Sequence, residues 1–130
     1  MPVFDGESLF TPGTNVIVPG PWEQILKHEH FPGVDGVLEV RLGVAGRAIR
    51  QECTLLRQGV LARQELIAAV AAIEAYVTEG EKTLVDDFLR TFEHCSMQAV
   101  APGPILRGGA SGLTYMCRIE ILYRQLAAND

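Results

Sequence analysis

The sequence predicts an α+β fold: an antiparallel β-sandwich or split barrel with one flanking amphipathic helix. Three observations carry this. Every second residue from 113 to 123 is apolar, residues 62–79 repeat their apolar positions at helical spacing, and the links between strand candidates are short enough for hairpins. Links of that length exclude the long crossovers of a βαβ parallel sheet.

The first 36 residues read as a turn-rich N-terminal arm or edge segment, and residues 37–130 as a single β-rich domain. Pro12-Gly13, Pro19-Gly20-Pro21 and Pro32-Gly33 each mark a turn, because proline fixes φ and glycine accepts positive φ. Between them lie short strand candidates at 15–18 and 23–30. Prolines this frequent exclude a central strand. Residues 37–42 and 48–56 read as two strands joined by a hairpin loop at Gly43-Val44-Ala45-Gly46. In the second of these, Ile49, Cys53 and Leu55 fall on one face, with Arg50, Glu52 and Thr54 on the other.

The helix is expected over about 62–79. Leu66, Val70, Ile73 and Val77 draw its apolar stripe, Ile67 and Ala71 widen it, and Gly80 stands where a left-handed residue would end it. A further hairpin follows, with arms at 82–85 and 91–100 and a turn at 86–90. Residues 101–112 read as a Pro/Gly stretch. In the last strand Tyr115, Cys117, Ile119, Ile121 and Tyr123 share one face, and its length places it inside a sheet with a partner on each side.

A chain of 130 residues with 48% hydrophobic content can bury a core without staples. Its 16 acidic and 11 basic residues leave a net charge of −5, which disfavours nucleic-acid binding as a general property, and no sequence-specific nucleic-acid contact is expected. Arg41, Arg47, Arg50, Arg57 and Arg63 crowd one quarter of the chain, where they read as solvated strand and helix residues or as a local basic patch. Cys53, Cys95 and Cys117 are odd in number and widely spaced, as in a reduced compartment. No apolar run reaches the ~20 residues of a membrane span. The N-terminus lacks the basic start and apolar stretch of a signal peptide, so no secretion by that route is expected.

Chemistry is sparse. His28 and His30, alternate residues of one strand, are metal-ligand candidates, with His94 and Cys95 as ligands from the later hairpin; the paired spacing of zinc sites is missing, and no metal or other cofactor is expected. Cys53 and Cys117 fall on apolar strand faces, as core thiols do. Asp86 and Asp87 suit a turn as well as a carboxylate dyad. Neither a serine elbow nor a phosphate loop is present, so no catalytic residue is named and no enzyme is expected. Phe10, Trp22 and Phe31 could anchor a partner surface or tuck back onto the core.

One succession of motifs resembles a known family. His30-Phe31-Pro32-Gly33-Val34-Asp35-Gly36 precedes Leu42-Gly43-Val44-Ala45-Gly46-Arg47-Ala48-Ile49, and the helix and Thr83-Leu84-Val85-Asp86 follow. This order is similar to the N-terminal domains of phage-tail and contractile-injection proteins, especially distal tail proteins and the DNA-circularisation proteins of Mu-like phages. The resemblance implies a tail-tube-type β-sandwich or split barrel with a helix on its flank. It implies a homo-oligomer, a hexameric ring joined through sheet edges and an arm, with other tail proteins as partners in a virion, baseplate or cytoplasmic particle. Phe88-Leu89-Arg90 departs from the glycine turn expected after Leu84-Val85-Asp86, and the length leaves no room for the added domains many such proteins carry. A structural ring subunit of a phage tail or phage-like injection particle is therefore the expected function. The alternative is a small ligand- or metal-binding β-rich domain, with a pocket near Cys53, Tyr115 and Cys117.

Overall fold

The computed structural model describes residues 2–11, 13–29, 38–109 and 112–130, with the backbone alone over 24–29 and 38–45. The elements in chain order are β1 (Val3–Phe4), β2 (Gly13–Pro19), β3 (Glu23–Glu29), β4 (Leu38–Gln58), α1 (Ala62–Glu74), β5 (Glu81–Val85), β6 (Thr91–Gly108) and β7 (Thr114–Gln125). The strands form one antiparallel sheet in the order β1-β5-β6-β7-β4-β2, and β3 also pairs with β4. The fold is thus α+β, mostly antiparallel strand with one helix, and the sheet curls into a half-barrel.

β7 behaves as its alternation requires. Cys117, Ile119, Ile121, Tyr123 and Gln125 are buried, the residues between them face outward, and β4 and β6 flank the strand. Ile49, Gln51, Cys53 and Leu55 of β4 are buried on the same side. The helix lies across β4, β7 and β6, sending Leu66 and Ile73 into the core with Ala69, Val70, Tyr76 and Val77 packed around them. Each fully buried Leu or Ile contributes about 1.5–3 kcal/mol relative to exposure. The predicted helix is α-helical to Glu74, tightens to a 3-10 turn over Ala75–Thr78, and ends at Gly80 with φ +82°.

β1 and β2 lie at opposite ends of the sheet, so the chain between them crosses from one edge of the half-barrel to the other. It carries Phe10, which is completely buried, while Phe4 at its start packs edge-on against Tyr76 with 5.2 Å between centroids. A polar chain ties this crossing to the middle of the sheet. The Tyr123 hydroxyl donates to Gln51 Oε1 (2.6 Å), Gln51 Nε2 to Asn15 Oδ1 (2.9 Å), and Asn15 Nδ2 to the Phe10 carbonyl (3.1 Å).

Two expectations are corrected. Residues 43–46 are no hairpin loop: β4 runs unbroken through them, and its partner there is β3. The pairing jumps from Glu23–Gly46 to Gln24–Val44 and from Ile25–Gly43 to Leu26–Arg41, so the glycines flank bulges inside a strand. Gly46, at φ +91°, lies so close to the Gln125 carbonyl that a Cβ would collide with it. Likewise, much of the Pro/Gly stretch at 101–112 is strand, because β6 continues to Gly108. Beyond Ser96 it pairs, among the described residues, with β7 alone, and its register shifts between Pro102 and Ile105. An open edge and a bulge are the places where a strand tolerates proline.

Candidate functional site: a projecting β-ribbon and its base

β2 and β3 lie end to end along one side of β4, β2 against residues 49–55 and β3 against 38–46. The Gly20-Pro21-Trp22 break between them reflects a proline that cannot donate to a ladder. On the other side of β4, pairing with β7 begins only at Arg47. Residues 23–29 and 38–46 therefore form a two-stranded ribbon, and among the described elements β3 lies alongside β4 alone, apart from an ion pair at its first residue, Glu23. A lone two-stranded ribbon is marginally stable in water, so its attachment to the body decides how well it holds its direction.

That attachment is built from side chains. The Arg47 guanidinium lies 4.6 Å from the Trp22 ring centroid and 5.4 Å from that of Phe92, one cation between two aromatic faces. Its Nε donates to Gln125 Oε1 (2.8 Å), and the Gln125 amide nitrogen in turn donates to the Glu93 carbonyl (2.9 Å). Arg124 Nη2 reaches Glu23 Oε2 (3.1 Å), and the Gly20 amide donates to the Ala48 carbonyl (2.7 Å). Arg90 adds a second cation over Phe92 at 5.7 Å. Arg90 Nη2 also donates to the Ile17 carbonyl of β2 (3.3 Å), across the open side of the half-barrel.

The residues singled out from the sequence fall in different places. Trp22 is 41% exposed at the ribbon base, whereas Phe10 is core; Phe31 and His30 lie outside the described residues. His28 stands opposite Glu39 on the ribbon backbone, and β3 does not touch β6, the strand that carries His94 and Cys95. The arginines do not form one patch. Arg47 and Arg57 sit at opposite ends of the β7-paired half of β4, Arg50 is exposed between them, and Arg63 is on the first turn of α1; Arg41 is described by its backbone only.

All three cysteines are free and buried. Burial, reinforced by the nearby Cys117 thiol, pushes Cys53 up to about 12, against the pull of Arg57. Burial likewise pushes Cys95 up to about 12, with Arg47 opposing. Cys117 is also raised by burial, opposed by a hydrogen bond from the Gly103 backbone. Such thiols are poor nucleophiles. A groove does open beside Cys117, between α1 and the bulged part of β6, but Ile67, Val70, Pro102 and Ile105 line it, not Cys53 or Tyr115.

Asp86 is a buried turn residue. Its Oδ1 accepts the backbone N–H groups of Phe88 (2.9 Å) and Arg90 (2.8 Å), its Oδ2 pairs with the Arg90 guanidinium, and Asp87 faces solvent. Leu89 there adopts φ +61°, the conformation for which a glycine was expected.

Sequence reasoning missed Gln51, although a glutamine between Ile49 and Cys53 on an apolar strand face was a readable sign of a buried hydrogen bond. The Trp22–Arg47–Phe92 stack had no such sign, since its members lie far apart in sequence. Among the described residues no helix is long and apolar enough to cross a membrane. No protein-family model matches the chain, and no curated protein matches it either.

Proposed function

We propose that this chain is a structural ring subunit of a phage tail or phage-like injection particle, acting by self-association and not by catalysis. The observation that carries the reading is the ribbon: among the described residues, β3 and residues 38–46 of β4 pair only with each other, and a cation–aromatic stack lies at their base. Unpaired strand edges are templates for another chain, and a monomer gains nothing from holding one out. The outer edge of β2 and the 99–108 half of β6, which among the described residues pairs on one side only, supply two further edges on opposite sides of the sheet. On this reading the body is a split barrel, its open side spanned by the Phe10 crossing and the Arg90–Ile17 bond. Head-to-tail contacts between different edges of identical copies form a ring where the rotation between copies closes.

The test is the mass in solution of the intact chain and of a variant whose residues 24–45 are replaced by a Gly-Ser turn. The expected result is a hexamer-sized species for the first and a folded monomer for the second. A strictly monomeric intact chain at high micromolar concentration would overturn the reading. The groove beside Cys117 is the observation favouring a small ligand-binding domain instead, and a monomer that crystallises with a ligand there would establish it.

A further inference from the structure

We propose that His94 is a pH-sensitive clasp that holds the segment 126–130 against β6 and lets it go when the imidazole loses its proton. The segment after β7 folds back along the start of β6. The Leu126 amide donates to the His94 carbonyl (2.9 Å), and the Asn129 side chain acts as a substitute strand residue: its Nδ2 donates to the Thr91 carbonyl (2.7 Å) and its Oδ1 accepts from the Glu93 amide (2.9 Å). The Asp130 amide donates to Glu93 Oε2 (2.8 Å). This is the side of β6 that β7 leaves uncovered, because pairing with β7 starts at Cys95. The segment therefore covers a strand edge through side-chain bonds and few backbone ones.

His94 closes the arrangement. It takes φ +56° within the strand, and its ring lies between two carboxylates, Nδ1 3.2 Å from Glu81 Oε2 and Nε2 3.1 Å from Asp130 Oδ1. A charged imidazolium donates from both nitrogens. A neutral ring has one N–H, so its other nitrogen turns a lone pair toward a carboxylate oxygen and one partner must withdraw. Glu81 is fixed in β5, opposite Ser96, whereas Asp130 belongs to the lightly held segment, so Asp130 is the partner that leaves. Atoms of Glu93, His94 and Asp130 lie within 4.8 Å of one another, but with both ring nitrogens facing carboxylates the group is that of a paired imidazolium.

The charged groups around the ring are Glu81 and Lys82 of β5, Glu93 of β6 and Asp130, with Lys82 drawn toward Asp5 (3.8 Å). The Asp130 bond, then the Glu81 bond, raise the His94 pKa above its ordinary 6.5, and partial burial opposes them. The sign follows. Holding is complete below the ordinary histidine value and is lost as pH rises through the elevated one. The two His94 contacts are exposed ion pairs and individually weak, as a reversible release requires.

Backbone ¹⁵N–¹H NOE measurements on the intact chain from about pH 5 to about pH 9, a range spanning histidine titration, test this alongside the His94 ring shifts. The expected result is an ordered 126–130 segment at low pH that becomes mobile with the same midpoint as the His94 ring, above the ordinary value. Asp130→Asn should lower that midpoint. His94→Asn, which tolerates the positive φ, should leave the segment mobile throughout while the body's spectrum is unchanged. A segment equally ordered across the His94 titration, or a His94→Asn variant that holds it as firmly as the parent, would overturn the clasp. Neither outcome bears on ring formation, so the two proposals fail separately.

Discussion

Replacing Tyr123 by phenylalanine removes one hydroxyl from the centre of the core and leaves the packing otherwise intact. That hydroxyl donates to Gln51 Oε1 at 2.6 Å, and Gln51 is 1% exposed, so the orphaned oxygen has no route to water. Stranding a buried acceptor costs about 1–3 kcal/mol, more than the net worth of an ordinary hydrogen bond. At this chain length each kcal/mol corresponds to roughly 3–5 °C, so the variant should melt roughly 3–15 °C below the parent. Gln51→Leu should cost a similar amount, because it strands the Tyr123 hydroxyl and the Asn15 Oδ1 that accepts from Gln51 Nε2. The double variant removes the buried donor and acceptor together and leaves only half-buried Asn15 to find water. Its loss should therefore fall short of the sum of the single losses by about 1–2 kcal/mol. Urea denaturation with an unchanged m-value measures all three differences. A Tyr123→Phe variant within ~0.5 kcal/mol of the parent, or strictly additive losses, would refute the reasoning that this bond is buried and isolated from solvent.

Two further expectations concern other parts of the chain. Leu89 is 84% exposed and sits at φ +61°, so Leu89→Gly loses almost no packing and should raise stability by about 0.5–1 kcal/mol in the same denaturation assay; a destabilised variant would count against strain at this turn. Cys53 and Cys95, pushed by burial to about 12, should hold only about 10⁻⁴ of their thiol as thiolate at pH ~8, so an aromatic disulfide reagent should modify them slowly in the native chain and at once in denaturant. Rapid native labelling of Cys95 would show that its end of β6 opens readily.

The legible parts of the fold were those whose signal is local. The alternation from Tyr115 to Tyr123, the helical spacing of Leu66, Val70 and Ile73, and the Gly80 stop each lie within a few residues of one another and took the form expected, whereas Val77 falls in the 3-10 turn that follows the α-helix. Gly43 and Gly46 misled because glycine marks a bulge as readily as a loop, and only the identity of the partner strand distinguishes the two. Pro102 and Pro104 misled for a related reason: a proline excludes a paired N–H, and here β6 has an open edge where none is needed.

The candidate site was less legible than the fold. Trp22 stood out as an aromatic residue in a turn-rich stretch, but Arg47 and Phe92, which give it its place, come from strands with no sequence relation to it. Phe10 belonged to the same group of aromatics and is core, because the chain carrying it must cross between two sheet edges.

By itself, the sequence determined that this chain has strands and one helix, and which face of its last strand and of its helix is apolar, since side-chain periodicity is a property of neighbouring residues. The tertiary structure alone decided which strands pair, that β3 takes the free half of β4 to form a ribbon, and which distant side chains meet at its base. Those outcomes depend on competition among all the strands for hydrogen-bonding edges, and a competition of that kind is settled only when the whole sheet has formed.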